Sequence, residues 1–127
     1  MSALHDDREA ITQVIRDYLE GLYQCDIELL SSVFHPQALY ATAVGAEPLI
    51  LGMDAYLPMV AKRDPPARTH AARHERILEM DIAGPETAFV KLACRFFQKD
   101  YVDYLTLIRL DRRWMIISKV FHYEMAS

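Results

Sequence analysis

Residues 101–121, reading YVDYLTLIRLDRRWMIISKVF, constrain the fold more than any other stretch of the chain. Two runs rich in β-branched and aromatic residues are broken only by the polar cluster Asp111-Arg112-Arg113, the pattern of an antiparallel β-hairpin. The second arm is mostly apolar on both alternations, Trp114, Ile116, Ser118 and Val120 on one and Met115, Ile117, Lys119 and Phe121 on the other. A strand with one wet face alternates apolar with polar residues, so both faces of this hairpin need cover. Helices of the same chain supply one cover. A second copy is the simplest other, because monomers rarely expose a large apolar patch, and the expectation is a homodimer joined through the sheet.

The hairpin ends a series of extended segments at 73–83, 87–98, 101–110 and 114–123, separated by Gly84-Pro85-Glu86, Lys99-Asp100 and the final turn. Such short connections specify an antiparallel meander. The N-terminal part is helical. Ile11, Val14, Ile15, Tyr18, Leu19 and Leu22 form one stripe of a helix over residues 6–23, with Gly21 and Gln24-Cys25 read as its frayed end. Asp26 caps a second helix through Ile27, Leu30 and Phe34 that stops near His35, because Pro36 disfavours helical geometry in the residue before it. Short strands are expected at 38–44 and 48–51, and a third helix at 53–62 before the break Asp64-Pro65-Pro66. Helices first and strands last give an α+β fold with the helices packed on one face of a curved sheet.

A chain of 127 residues, 52% hydrophobic, matches one domain over 1–127 whose core needs no metal or disulfide. Its net charge of −4 is spread along the sequence, so no basic face is ready for nucleic acid. Cys25 and Cys94 form no disulfide framework, and the N-terminus carries acidic residues and no apolar run of signal-peptide length. The expectation is a soluble, unprocessed cytoplasmic protein with no membrane span and no cofactor.

The helix-end motif Cys25-Asp26-Ile27-Glu28-Leu29-Leu30 with Phe34-His35-Pro36-Gln37-Ala38, followed late in the chain by Asp103-Tyr104-Leu105, Trp114-Met115-Ile116 and Lys119-Val120-Phe121, resembles the nuclear transport factor 2-like superfamily, in its SnoaL-like, lumazine-binding branch. The resemblance implies a cystatin-like roll, in which a cone-shaped curved antiparallel sheet wraps around N-terminal helices and encloses one apolar pocket, in a homodimer. It implies no single chemistry, since the superfamily holds isomerases, dehydratases, cyclases and plain binding proteins, and function must be argued from the site.

A ketosteroid-isomerase-like site requires a Tyr on the first helix, a carboxylate base after the second and a protonated Asp on a late strand. Tyr18 matches the first, but counting places the base on Thr42 and the acid near Thr106, and threonine cannot abstract a proton near neutral pH. The residues left to act as acid or base are Asp103 and His35. Asp103 and Tyr104 point to opposite faces of their strand, so only one enters the cavity. A two-residue turn at Asp111-Arg112 sets Tyr104 opposite Lys119, whereas a three-residue turn puts Asp103 and Lys119 on one face. Arg112 is costly at positive φ, so the expected turn is longer or irregular. Lys119 is read as pairing with an acidic neighbour.

Tyr18, Tyr40, Tyr56, Tyr104 and Phe121 are the expected lining, since aromatics with a few hydroxyls suit a flat, modestly polar ligand. His70, His74 and Glu75, like His122 and Glu124, lack metal-ligand spacing for strand and loop residues and are read as surface groups, with no metal expected. The function expected is binding of a small apolar or aromatic molecule. The alternatives are a SnoaL-like isomerase, cyclase or dehydratase working by general acid/base catalysis, and a structural dimerisation module.

Overall fold

The computed structural model describes residues 3–126, with side chains from Asp6 onward; Met1 and Ser2 of the N-terminal stretch considered above lie outside the described residues. Helix α1 spans Ala3–Gln24 and buries Ile11, Ile15, Tyr18, Leu19 and Leu22, the stripe that the sequence spacing predicts. It does not fray at Gly21. The helix runs on and closes with Cys25 at φ 50°, where the Asp26 N–H donates to the Gly21 carbonyl (2.9 Å) and the Cys25 N–H to that of Leu22 (3.3 Å), a Schellman end. Glycine is needed at 21 for a different reason: a Cβ there would lie 2.7 Å from Leu30, so the missing side chain lets the next helix pack close.

That helix, α2 (Ile27–Val33), is capped by the Asp26 carboxylate, which accepts from the Leu29 N–H at 3.1 Å. It passes directly into strand β1 (Phe34–Thr42). His35 and Pro36 therefore belong to the start of a strand rather than a helix end, and the ladder is irregular between Phe34 and Leu39, where proline is tolerated. Strand β2 (Leu49–Gly52) pairs antiparallel with β1, and helix α3 (Met53–Ala61) buries Met53, Tyr56 and Val60.

Strands β3 (Glu75–Ile82), β4 (Thr87–Phe96), β5 (Lys99–Leu110) and β6 (Arg113–Met125) form the expected meander. β1 joins β6 in parallel, giving one six-stranded sheet in the order β2-β1-β6-β5-β4-β3. The helices lie against one face, and the core between them draws on Tyr18, Leu30, Phe34, Val90, Leu92 and Leu105, all nearly solvent-free. Near its N-terminus α1 is tied to the sheet by Asp7, which meets the Trp114 indole N–H (3.4 Å) and the Arg109 guanidinium (3.7 Å).

The last hairpin corrects the expected turn. Leu110 pairs with Arg113 across a two-residue turn in which Asp111 (φ 50°) and Arg112 (φ 65°) both adopt the left-handed conformation. Both φ signs fit a type I′ turn, whose twist matches that of the flanking strands. The irregularity lies further along. Leu107 pairs with Ile116 and Thr106 with Ser118, so Ile117 is an extra residue, a β-bulge that moves the ladder by one. Burial shows the switch: Trp114 and Ile116 face the core before the bulge, Lys119 and Phe121 after it. Leu105, not Tyr104, now lies opposite Lys119.

Candidate functional site

Asp103 points inward with Leu105 and Leu107 on β5, and the bulge at Ile117 turns Lys119 of β6 to the same face. Asp103 is fully buried and Lys119 is 4% exposed, and their charged ends lie 3.8 Å apart. An isolated charge in an interior is far too costly to persist, so each requires the other. The same oxygen of Asp103, Oδ2, accepts a 2.7 Å hydrogen bond from the Tyr18 hydroxyl on α1, which joins helix and sheet at this point. Burial, reinforced by the charge of Asp103, raises the Tyr18 hydroxyl well above its ordinary value, so it stays a donor.

Aromatic rings enclose the Lys119 ammonium: Nζ lies 4.8 Å from the Phe121 ring centre, 5.2 Å from those of Tyr18 and Tyr40, and 5.9 Å from that of Tyr101. Ring faces are electron-rich and attract a cation without hydrogen bonding to it. Burial pulls the Lys119 pKa down, but attraction to Asp103 pushes harder and holds it above the ordinary lysine value. Lys119 is therefore an ammonium donor rather than a free amine.

A cavity opens over this ammonium, lined by Leu22, Tyr40, Arg63, Cys94, Phe97 and Lys119, with Phe96 and Tyr101 completing its wall. Its volume open to the centre of a water molecule is about 10 Å³, room for one water. Phe97 stands at the mouth in the β4–β5 turn with φ 55°, and the Arg63 guanidinium lies 5.3 Å from its ring centre. Burial, with the Asp103 charge, raises the Cys94 thiol far above its ordinary range, so it is no thiolate at neutral pH.

The expected site residues fall in different places. Tyr40 lines the cavity and stacks on Tyr56 with ring centres 4.3 Å apart; Tyr56 is fully buried behind it. Tyr18 and Phe121 flank Lys119. Tyr104 is a correction: the odd-numbered residues of β5 face the core, so Tyr104 points to the opposite face and is 49% exposed. His35 is half-buried at the start of β1, where its Nδ1 accepts from the Gln37 N–H at 3.0 Å, a local contact outside the cavity lining. His122 pairs with Glu124 at 3.3 Å in exposed positions, and His70 ends the short turn Pro66–Thr69 at φ 51°. Among the described residues, no group of three His, Cys, Asp or Glu is placed to hold a metal. Sequence reasoning missed Leu22, Arg63, Phe96, Phe97 and Tyr101 as lining. Leu22 was visible on the helix stripe, but its position over Lys119 depends on the bulge.

The family profile described as "Putative lumazine-binding" matches residues 6–122. The chain belongs to this family. The chain shares the nuclear transport factor 2-like fold of the solved structures that it resembles. An NTF-2 like protein of unknown function from Silicibacter pomeroyi superposes with a TM-score of 0.87 at 19% identity, over 97% of this chain and 100% of that one. An NTF2-like protein of unknown function from Methylobacillus flagellatus gives 0.83 at 25% identity, over 98% and 95%. A ketosteroid isomerase-like protein from Erwinia carotovora atroseptica gives 0.72 at 14% identity, over 91% and 94%, and so shares the fold. No curated protein matches the chain.

Proposed function

We propose that this member of the family binds a small, flat, oxygen-bearing molecule in the cavity over Lys119. One observation carries the reading: the Lys119 side chain, 4% exposed, lines the cavity, and its ammonium lies 3.8 Å from the Asp103 carboxylate, beyond hydrogen-bond distance. Buried cations are otherwise both paired and hydrogen-bonded, so this ammonium calls for a ligand oxygen. Tyr40, Tyr101, Phe96 and Phe97 supply flat apolar walls, and Arg63 adds positive charge at the mouth. A heteroaromatic of the kind the family's description names is one molecule of this class. Because the cavity has room for about one water, entry requires Phe97 and Arg63 to move aside.

A second reading, general acid/base catalysis of the isomerase type, is favoured by Asp103, a buried carboxylate with the Tyr18 hydroxyl facing it.

Native mass spectrometry of freshly purified protein, followed by thermal-shift measurement with a panel of aromatic carbonyl compounds, tests the binding reading. The expected result is a bound small molecule or a rise in melting temperature, lost in Lys119→Met. A bare chain that no panel member stabilises would sink it.

The assembly that accompanies this reading is a homodimer through the outer face of the sheet, where Tyr104 and its ladder partner Val120 are both about half exposed.

A further inference from the structure

Strand β4 passes to β5 through two residues, Phe97 and Gln98, with Phe96 and Lys99 paired on either side. Both turn residues hold positive φ, 55° and 62°, the signs of a type I′ turn. Such positions suit glycine or asparagine. A bulky ring there is a steric outlier, and outliers of this kind persist where the surrounding fold holds them in place. The turn is held: the Ala126 N–H donates to the Gln98 carbonyl at 3.0 Å. With the backbone anchored, the part free to move is the Phe97 side chain.

That ring is 36% exposed, whereas Phe96 beside it is buried in the core. It meets the Arg63 guanidinium, 5.3 Å from its centre, and the edge of the core at the Phe96 ring, 6.3 Å away. Arg63 follows α3, which is fixed by its buried Met53, Tyr56 and Val60, and its own N–H donates to the Val60 carbonyl at 3.0 Å. Among the described residues the Arg63 guanidinium makes no ion pair, so the Phe97 ring is the group it rests on. Behind ring and guanidinium lies the chamber with room for one water, and Cys94 forms part of its wall.

We propose that the Phe97 ring is a gate on this cavity and Arg63 its latch: rotation of the ring about its side-chain bonds opens the chamber, and the cation–π contact favours the closed position. The gate governs access and is independent of what the cavity binds. Opening breaks no hydrogen bond and leaves the turn in place, so it belongs to the low-cost local motions of the fold. The strained backbone at Phe97 gives stability and access opposite signs. Glycine at 97 relieves the positive φ while removing the gate, so access rises without a loss of stability. A ring kept only for packing would behave the other way, since its removal would destabilise the chain.

Cys94 supplies the probe. In a Cys25→Ser chain it is the only thiol, and its modification by methyl methanethiosulfonate at fixed pH, followed by mass spectrometry, reports how often the reagent reaches the chamber. Phe97→Gly is expected to speed modification by about tenfold or more with no fall in the denaturation midpoint. Arg63→Gln should speed it by about two- to fivefold, the worth of an exposed cation–π contact, and Arg63→Lys should stay near the parent rate. In the Phe97→Gly chain, Arg63→Gln should add nothing, because the latch acts only through the ring. Cys94 also borders the open groove between His74 and Asp100, and reagent arriving from that side would modify it at a rate indifferent to Phe97. Equal rates in the parent, Phe97→Gly and Arg63→Gln chains, or rates that rise only as the midpoint falls, would overturn the gate. Either result leaves the binding reading standing, since native mass spectrometry tests that separately.

Discussion

Asp103 and Lys119 carry opposite charges where neither would be tolerated alone. At 3.8 Å their attraction is about 4 kcal/mol at an effective dielectric constant near 20, enough to hold the pair but not to make it better than a well-packed apolar core. This contrast predicts a specific pattern in a double-mutant cycle. Lys119→Met alone strands a buried carboxylate and should cost about 3–5 kcal/mol in chemical denaturation, and Asp103→Leu alone should cost about the same. The double variant should be more stable than either single one. Costs that simply add would show that the two side chains do not act as a pair. The pH dependence follows from the direction of the Lys119 shift. Its folded pKa lies above the ordinary 10.5, so the stability it contributes is complete below 10.5 and is lost as pH rises through the folded value. The gap in stability between wild type and Lys119→Met should therefore stay level from about pH 6 to about pH 9 and shrink only in strong alkali. A gap that closes near neutrality would contradict a lysine held charged.

At the scale of elements, the segment that places this pair is a hairpin with two irregularities, and only one could be located from the chain. Asp111-Arg112-Arg113 marked the turn, because a polar cluster between apolar runs has few other uses. The steric cost of Arg112 at positive φ argued for a longer turn, yet the structure keeps two residues and accepts Arg112 at φ 65°. The cost is thus borne rather than avoided, and Arg112→Gly should relieve it. We expect a gain of about 0.5–1 kcal/mol, partly offset by the greater freedom of glycine in the unfolded chain, and a melting temperature higher by about 2–4 °C. A lower melting temperature would mean that the Arg112 side chain contributes more than its backbone strain costs. The bulge at Ile117 left no such mark. In Trp114-Met115-Ile116-Ile117-Ser118 every residue suits a strand on either face, so periodicity could not reveal where the alternation changes phase. Helices α1 and α3 and the four-strand meander were legible because their apolar spacing or punctuation admits one reading. Which of Asp103 and Tyr104 faced inward was not, because both alternations of β5 carry apolar residues, Leu105 and Leu107 with Asp103, and Val102 and Ile108 with Tyr104.

For the whole molecule, the same register that turns Asp103 inward turns Tyr104 outward. Tyr104 (49% exposed) lies beside Val120 (53%) at the centre of the outer face, and Leu39 (50%) and Leu78 (39%) extend the apolar surface toward the two ends of the sheet. Polar groups interrupt it without dominating: Lys91 lies 5.6 Å from the Tyr104 ring centre, and Thr106 bonds Ser118. Apolar residues exposed across several strands are the surface we propose a second copy covers, related by a two-fold axis. A standard-size stable interface buries about 800 Å² per partner. Light scattering at micromolar concentration should therefore give twice the mass of the 127-residue chain. Val120→Lys places a charge at the centre of each half and should yield a folded monomer with unchanged circular dichroism, because Val120 is already half exposed and contributes little to the core. A wild-type chain that scatters as a monomer would remove the dimer. A Val120→Lys variant that stays dimeric would move the interface elsewhere, for instance to the exposed edge strand β2, where Ile50 is 68% exposed. Because Tyr104 and Asp103 are neighbours facing opposite ways, the monomeric variant also shows whether the inner cavity needs the partner: the two faces share a backbone but no side chain at that rung, so ligand affinity should survive the loss of the dimer.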